Sequence, residues 1–512
     1  MLIKTFSSAV YGINATTVTV ETHISPGVHY YIVGLPDSAI KESLHRIESA
    51  ITTTGYRMPR QKIVVNLAPA DIRKEGSAYD LSIALGVLAA SGQLQEPALR
   101  DYLILGELSL DGQIQPIKGA LPVALQAKQD GFKGIILPLA NAREAAAVQG
   151  LQVLAAERLQ DVIRFFNEQH PLRTVQIDIE QEFLHHINNY DVDFADVKGQ
   201  ENIKRALEIA AAGGHNVILI GPPGAGKTML AKRLPTILPP LHLDESLETT
   251  KIHSVAGQLR ALSSLMTVRP FRAPHHTTSD VALVGGGSSP QPGEISLAHH
   301  GVLFLDELPE FKRSVLEVMR QPLESRNITI SRAKFSVDYP ASFMLIAAMN
   351  PCPCGYYNHP EKECICGSIA VQRYLSKVSG PLLDRIDLHV EVTPVEFHQL
   401  SNTRNSERSA FIRERVIAAR KIQAERFRGS VDTHNNAQMN TPTVRQVCQI
   451  SASGKKLLQT AMERLGLSAR AYDRILKVSR TIADMDNSAQ IENQHLAEAI
   501  QFRSLDREDW TG

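Results

Sequence analysis

An apolar run that ends in a glycine-rich octapeptide constrains this chain more than any other feature. Residues 217–220 (VILI) lead into GPPGAGKT at 221–228, and MLA follows at 229–231. A buried strand, a glycine turn and a helix in this order are typical of a phosphate-binding loop, whose backbone N–H groups surround nucleotide phosphates. Lys227 would contact the β- and γ-phosphates, and the Thr228 hydroxyl would ligate Mg²⁺. The sequence thus predicts an ATP site made by Gly221, Pro222, Pro223, Gly224, Ala225, Gly226, Lys227, Thr228 and Met229.

The charge balance limits what this chain can bind. Lys plus Arg and Asp plus Glu each number 54, so a nucleic-acid-binding surface would have to be a local patch. No apolar stretch approaches the roughly 20 residues of a membrane helix. The N-terminal sequence MLIKTFSSAVYGINATTV lacks the apolar core of a signal peptide. We therefore expect a cytoplasmic protein without membrane contact.

Hydrophobic periodicity divides the 512 residues into three domains and a linker. Residues 1–168 alternate strand-like and helix-like runs and predict an α+β domain. Residues 169–195 are polar and acidic, which favours a linker, and residues 196–395 have the pattern of a parallel α/β nucleotide-binding sheet. Residues 396–512 predict a helical lid. The predicted strands are 17–22, 30–33, 62–66, 102–105 and 134–137, and the predicted helices are 79–91, 119–130, 407–428, 443–465, 468–486 and 493–503.

Two later apolar runs end in polar residues, as expected of strands that deliver side chains to an active site. Asp306 and Glu307 follow the run 302–305. Asp306 would hold Mg²⁺ through water and Glu307 would act as general base, although an acidic helix cap is the simpler alternative. Asn350 follows the run 344–349 and could hold the attacking water or the γ-phosphate. Because Pro351 comes next, Asn350 could instead begin a turn.

The order of these motifs from 197 to 512 resembles the AAA+ ATPases. Residues 221–228 match Walker A, 303–308 (LFLDEL) match Walker B, Asn350 matches sensor 1, and 197–200 (VKGQ) match the segment that contacts adenine. Residues 382–387 (LLDRID) resemble the segment that carries the arginine finger in magnesium-chelatase-like members. The resemblance implies that Arg385 neutralises charge at the γ-phosphate of a neighbouring subunit. The alternative is an ion pair of Arg385 with Asp384 or Asp387.

The same resemblance implies functions for segments outside the strands. Arg470 matches sensor 2, which touches the nucleotide in cis, and Arg474, Lys477 and Arg480 continue a basic face that we expect to be solvated or interfacial. Residues 270–289 resemble the helix-2 insert, which projects toward a central pore. We expect its histidine doublet 275–276, and the later doublet 299–300, to form hydrogen bonds in turns rather than to bind metal.

Residues 327–339 (NITISRAKFSVDY) alternate like two short strands about a basic turn. They resemble the pre-sensor-1 hairpin of the same proteins, which usually faces the pore. Arg332 and Lys334 in the turn are candidates for sequence-independent phosphate contacts with DNA. Simple solvation of the two side chains is the alternative.

Four of the five cysteines lie close together in the sequence, at Cys352, Cys354, Cys364 and Cys366. Two close pairs can supply four thiolates to a tetrahedral structural Zn²⁺ site. Free thiols, two disulfides and an iron–sulfur cluster are the alternatives, and disulfides are disfavoured in a reducing cytoplasm. Zinc is therefore the expected ligand.

The segment 73–80 (RKEGSAYD), taken with 112–119 (GQIQPIKG), resembles the Lon protease domain. Ala78 occupies the position of the Lon nucleophile and Leu121 that of its general-base lysine. Ser77 and Lys118 are close to those positions but do not match them. The resemblance implies a degenerate Lon-like domain without peptidase activity.

Together with the terminal sequence LSARAYDRILKVSRTIAD (467–484), these features resemble the bacterial YifB/ComM family of magnesium-chelatase-like AAA+ proteins. The resemblance implies a homohexameric ATPase that drives DNA branch migration during natural transformation. Two other functions remain open. One is a chelatase-like motor subunit that remodels a protein or inserts metal, and the other, disfavoured by Ala78, is an ATP-dependent Lon-like protease.

Overall fold

A computed structural model of the chain describes residues 1–95, 97–168, 170–186, 190–259, 264–287, 290–332, 335–357, 359, 361–394, 406–430 and 432–503. In these residues an N-terminal α/β domain precedes a parallel five-stranded sheet and a helical C-terminal region. The predicted combination of a mixed α/β fold, a parallel sheet and C-terminal helices is confirmed. Within the described ranges, every helix is too short or too polar to cross a membrane.

The N-terminal domain is built on one eight-stranded mixed sheet. Its elements are β1 (Leu2–Tyr11), β2 (Asn14–Ser25), β3 (Tyr30–Val33), α1 (Ser38–Thr53), β4 (Lys62–Ala68), α2 (Asp80–Ala90), β5 (Tyr102–Ile104), β6 (Glu107–Leu108), β7 (Ile114–Gln115), α3 (Ala120–Gln129), β8 (Gly134–Pro138), α4 (Leu139–Ala145), β9 (Gln152–Ala156), α5 (Leu159–Glu168) and β10 (Arg173–Thr174). The strand order is β10-β9-β8-β5-β1-β2-β4-β3. Every residue of α2 is buried, which explains why its sequence is apolar on all sides.

The segment predicted as a linker has secondary structure of its own. β10 pairs antiparallel with β9, so the first sheet extends past residue 168. Helix α6 (Ile179–His186) follows, and Ile179 is buried in the apolar core beside β8 and β9. Burial of this side chain ties the segment to the first domain despite its polar composition.

The central region contains α7 (Glu201–Gly213), β11 (Val217–Ile220), α8 (Lys227–Arg233), α9 (Leu243–Ala256), β12 (Phe271–Arg272), α10 (Asp280–Val284), β13 (Gly285–Gly286), β14 (Gln291–Pro292), α11 (Glu294–Leu297), β15 (Val302–Leu305), α12 (Arg313–Val318), α13 (Arg320–Ser325), β16 (Asn327–Arg332), β17 (Phe335–Pro340), β18 (Met344–Met349), α14 (Ser368–Leu375), α15 (Gly380–Leu383) and β19 (Leu388–Glu391). Five strands form a parallel sheet in the order β12-β15-β18-β11-β19. The carboxyl ends of β11, β15 and β18 therefore meet at one edge.

The structure corrects the assignment of the whole segment 270–289 to an insert. Phe271 and Arg272 form β12 and pair in parallel with β15, at the edge of the central sheet. The ring of Phe271 stacks on Phe304 of β15 at 6.0 Å between centroids. Local sequence could not reveal this strand, because only two residues pair and their partners lie 31 residues further along the chain. The predicted hairpin, in contrast, is confirmed as β16 paired antiparallel with β17.

The N-terminal domain contacts the central region at two places. The Leu121 N–H and the Ser254 hydroxyl both donate to the buried carboxylate of Glu144, which joins α3 and α4 to α9. The Tyr11 hydroxyl donates to the Ser336 carbonyl at 3.2 Å, which joins the β1–β2 turn to β17. These contacts fix the hairpin and α9 against the first domain.

The C-terminal region consists of α16 (Ser409–Arg426), α17 (Thr441–Val447), α18 (Ala452–Leu465), α19 (Ala469–Met485) and α20 (Asn493–Gln501). The single helix predicted over 443–465 is two helices. α17 ends before Cys448, Ile450 bridges to Ile491, and the Ser451 hydroxyl accepts the Gly454 N–H to begin α18.

The basic face predicted to be solvated or interfacial on α19 is instead turned inward. Lys477 is buried and donates to the Ala437 carbonyl, and burial lowers its pKa to about 8. Arg480 is buried and pairs with Asp484 at 3.0 Å. Asp484, four residues further along α19, is itself buried and also pairs with Arg426 of α16, while Arg474 pairs with Asp387 at the start of β19. These partners from outside the helix make the burial possible, and the pattern of α19 alone could not show them.

Candidate nucleotide site

The phosphate-binding loop has the backbone that its glycines predict. Gly224 and Gly226 adopt left-handed φ angles of 80° and 86°. A Cβ on Gly221 would lie 2.2 Å from the Val392 carbonyl oxygen, whereas one on Gly224 would meet nothing within 4 Å. The loop is therefore pressed against the strand β19 at its start and open in its middle, where phosphates would enter.

Lys227 and Asn350 are brought together by neighbouring strands. The Lys227 ammonium donates to the Asn350 side-chain oxygen at 3.1 Å and to the carbonyls of Gly221 and Pro222 at 2.7 and 2.9 Å. Burial lowers the pKa of Lys227. Because β11 and β18 are adjacent and parallel, the amide of Asn350 lies beside the start of the phosphate-binding loop.

Thr228 and Asp306, the two residues predicted to hold Mg²⁺, contact each other directly. The Thr228 hydroxyl donates to the Asp306 carboxylate at 2.6 Å. A hydroxyl and a carboxylate at this separation are oxygen donors that suit Mg²⁺ with several retained waters. The residues present therefore fit a Mg²⁺–nucleotide complex.

Glu307 lies beside this pair in a left-handed conformation with φ 53°. Its carboxylate is half exposed and lies 3.2 Å from Nδ1 of His276. His276 was expected only to form hydrogen bonds in a turn, and this contact was not predicted. The sequence carried no signal for it, because β12, the edge strand that brings His276 close to the end of β15, could not itself be predicted.

Gln200 is a second residue whose contact was missed. Its side-chain amide donates to the Ala225 carbonyl of the phosphate-binding loop at 2.8 Å. It stands at the start of α7 with a left-handed φ of 58°. The sequence placed it in a segment near the adenine, and the structure attaches that segment directly to the loop.

The two arginines predicted to contact nucleotide, Arg385 in a neighbouring subunit and Arg470 in its own, pair with carboxylates within the single chain. Arg385 is 9% exposed, pairs with Glu324 at 2.5 Å and donates to the Pro381 carbonyl. The alternative predicted for Arg385, an ion pair with Asp384 or Asp387, is therefore wrong about the partner, which is Glu324. Arg470 is 63% exposed and lies 3.3 Å from Asp384. Contact of either arginine with a nucleotide stays a prediction.

The four cysteines come together as one cluster. Sγ of Cys352 lies 3.3 Å from that of Cys354 and 3.7 Å from that of Cys364, and all four sulfurs lie within 4.8 Å of one another. Four thiolates at about 2.3 Å from a tetrahedral Zn²⁺ would be about 3.8 Å apart. The cluster is compatible with structural zinc.

Three family models match successive parts of the chain. The magnesium chelatase subunit ChlI model covers residues 193–400, a ChlI-subunit model covers 20–141, and the ChlI C-terminal model covers 406–503. The chain is 45% identical to the uncharacterized protein YifB of Escherichia coli K12, over 98% of this chain and 96% of YifB. It is 44% identical to the competence protein ComM of Haemophilus influenzae Rd, over 98% and 97%. The chain belongs to the YifB/ComM family of magnesium-chelatase-like proteins.

A weaker similarity links part of this YifB/ComM-family chain to Lon proteases. Lon protease 2 of Bacillus subtilis is 28% identical over 127 residues, which is 25% of this chain and 22% of the protease. The Ser77 hydroxyl donates to Glu107, Leu121 is fully buried, and the side chain of Lys118 packs against Gly257 of the central region. The polar side chains nearest the Lon-like positions therefore have structural partners.

The second histidine doublet, 299–300, lies beside the carboxylate of Glu248, just before the amino end of β15. Nε2 of His299 and Nε2 of His300 lie 3.2 and 3.0 Å from one oxygen of Glu248. Three potential ligands at this spacing could hold a metal. However, Nδ1 of His299 accepts the Ser342 N–H at 3.0 Å, so the proton of neutral His299 must be on Nε2. A protonated Nε2 has no lone pair for a metal ion, so this arrangement disfavours metal binding.

The DNA-contact candidates lie at the edge of what the structure describes. The backbone of Arg332 ends β16, and Lys334 lies outside the described residues. Their contact with DNA stays a prediction.

Proposed function

We propose that this protein is an ATP-driven DNA motor, a homohexameric ring that moves branches in recombination intermediates during natural transformation. The contact between Thr228 and Asp306, beside Lys227 and Asn350, carries the ATPase part of the proposal. The competence protein name of a relative that is 44% identical over nearly the whole chain supports the DNA part.

Each residue of the site would have a separate role in ATP hydrolysis. Lys227 holds the β- and γ-phosphates, while Thr228 and Asp306 hold Mg²⁺, which neutralises charge on the phosphates when bound. Glu307 accepts a proton from the attacking water and Asn350 orients that water against the γ-phosphate. Arg470 completes the site in this proposal, and Arg385 enters from the neighbouring subunit.

A branch-migration assay tests the motor. Purified protein with Mg²⁺ and ATP should convert a labelled four-way DNA junction into its two duplex products. Lys227→Ala should abolish conversion, and Lys232→Ala, which changes an exposed lysine on the same helix, should preserve it. If the wild-type protein hydrolyses ATP but neither moves a junction nor changes its ATPase rate with any DNA, the proposal that the motor acts on DNA is refuted.

Mixed rings test the composite site. Lys227→Ala removes the phosphate contact of a subunit's own site, and Arg385→Ala removes the finger that it offers to its neighbour. Each variant alone should be inactive. An equal mixture should recover about a quarter of the wild-type ATPase rate, because about a quarter of random head-to-tail interfaces pair an intact loop with an intact finger. No recovery after verified mixing would contradict the arginine finger.

The chelatase-like alternative has one observation in its favour, the match to magnesium chelatase models. It predicts an ATPase rate that rises with a protein or porphyrin client and not with DNA junctions. A Lon-like protease would degrade casein in the presence of ATP, which Ala78 opposes because its methyl group cannot act as a nucleophile.

A further inference from the structure

The four-cysteine loop, residues 352–366, touches the phosphate-binding loop. Gly355 in this loop has a left-handed φ of 86°, and a Cβ built on it would lie 2.4 Å from Cδ and 3.2 Å from Cγ of Pro223. Cβ atoms do not approach carbon that closely, so the backbone of Gly355 lies directly against the proline ring. Only glycine suits both the backbone angle and the contact.

The chain just before this loop also contacts the nucleotide site. Cys352 follows Asn350 by two residues, and the Asn350 side chain accepts from Lys227. Cys352 is fully buried in the apolar core beneath the end of β18, while Cys354 and Cys364 close the cluster around it. The phosphate-binding loop is therefore contacted by the cysteine loop through Gly355 and by Asn350, two residues before that loop begins.

A support from outside acts on the middle of the phosphate-binding loop, because Lys227 and Gln200 already hold its start and its end. Pro223 and Gly224 are exposed, and a Cβ on Gly224 would meet nothing within 4 Å. When a glycine-rich loop becomes ordered only on nucleotide binding, the conformational entropy lost in ordering it weakens the affinity for nucleotide. A loop that another segment already holds in place does not incur that loss. Gly355 contacts Pro223, which is one of these two exposed residues.

We propose that the four-cysteine loop is a positioning support for the phosphate-binding loop, so that closure of the cysteine cluster sets the affinity for ATP. This inference rests on the proposed ATPase site. It makes Gly355 a positioning residue that acts through Pro223, and it gives the cysteine cluster a role in nucleotide binding as well as in folding.

Binding of a fluorescent methylanthraniloyl-ATP to three single variants tests the contact. Gly355→Ala should raise the Kd about tenfold or more, because the added methyl group pushes Pro223 from its position. Gly429→Ala has the same left-handed φ with open space around it, and Gly367→Ala has open space and ordinary φ, so both should bind like wild type. Metal content measured by mass spectrometry should be the same in Gly355→Ala and wild type.

A double variant separates direct contact from general damage. Pro223→Ala removes the ring atoms that the new methyl group would meet, so adding Gly355→Ala to Pro223→Ala should change the Kd by less than threefold. A full loss in the double variant, equal to that in the single variant, would overturn the inference.

A measurement on the wild-type protein covers the case in which Gly355→Ala does not fold. Coupling is reciprocal, so bound ATP must hold the cysteine loop closed as strongly as the closed loop favours ATP. Alkylation of Cys354, Cys364 and Cys366 by iodoacetamide, followed by peptide mass spectrometry, should slow severalfold when Mg²⁺–ATP is bound. An unchanged rate, with ATP binding verified in the same sample, would overturn the inference. Wild type that binds no ATP at all would instead refute the proposed ATPase function.

Discussion

Asp387 offers the sharpest test of how the lid is held to the central sheet. Its carboxylate is 1% exposed, accepts the Asn216 N–H at 2.9 Å and pairs with Arg474 of α19 at 2.8 Å. Nδ1 of the fully buried His215 lies 3.6 Å away. One carboxylate thus joins the start of β19, the end of α7 and the lid. We predict that Asp387→Ala strongly destabilises the junction between the lid and the sheet.

The magnitude follows from burial. Removing one partner of a buried ion pair typically costs about 3–5 kcal/mol, because the remaining charge and donors are left unsatisfied. Asp384, three residues earlier, pairs with Arg470 at a site where the arginine is 63% exposed. An exposed pair contributes about 0–1 kcal/mol, so Asp384→Ala is the matched control. At about 2–4 °C per kcal/mol for a unit of this size, Asp387→Ala should lower Tm by roughly 6–20 °C.

Calorimetry and hydrogen exchange together measure this effect. Differential scanning calorimetry gives the two Tm values, and exchange followed by mass spectrometry should show faster opening of β19 and α19 in Asp387→Ala. The control should leave both segments protected. Equal Tm shifts in the two variants would refute the reasoning, since they would show that the buried ion pair of Asp387 contributes no more stability than the exposed pair of Asp384.

Three further predictions follow from single contacts. Burial raises the pKa of Asp387, but Arg474 and His215 lower it by more than burial raises it, so the pKa in the folded protein is below the unfolded value. The stability difference between wild type and Asp387→Ala should therefore be constant above about pH 5 and shrink as the pH falls below about 4. A difference that grows in acid would contradict this sign. Asn350→Ala should lower the ATPase kcat at least tenfold with a smaller change in nucleotide Kd, measured by steady-state hydrolysis and by binding. Asp484→Ala should lower the free energy of unfolding by about 3–5 kcal/mol in urea titrations, because it leaves buried Arg480 without its carboxylate, and a loss below 1 kcal/mol would contradict it.

The sequence alone determined the local elements whose pattern is strong over several residues. The strand predicted at 30–33 is β3, the helix predicted over 468–486 is α19 from 469 to 485, and the phosphate-binding loop lies between β11 and α8 as expected. In these segments, apolar periodicity, glycine positions and capping residues act between near neighbours. Such information is present in any short window of the chain.

Polar residues at strand ends were also predictable, because parallel strands deliver them to one edge. Asp306 and Asn350 therefore lie beside Thr228 and Lys227, as their positions after apolar runs indicated. The spacing of the cysteines was sufficient to predict one cluster. The sequence could not show that this cluster lies against Pro223, since that contact joins loops more than 130 residues apart.

Tertiary structure decided the partners of charged and short elements. Lys477 and Arg474 look like a solvated face on an isolated helix, yet Lys477 is buried against the Ala437 carbonyl and Arg474 pairs with Asp387 at the start of β19. β12 is too short to be stable alone and exists because β15 supplies its hydrogen bonds. Arg385 is paired with Glu324 rather than with an acid in its own segment. Local pattern fixes where strands and helices form, whereas the free energy of burying a charge depends on groups that only the folded chain brings within a few ångströms.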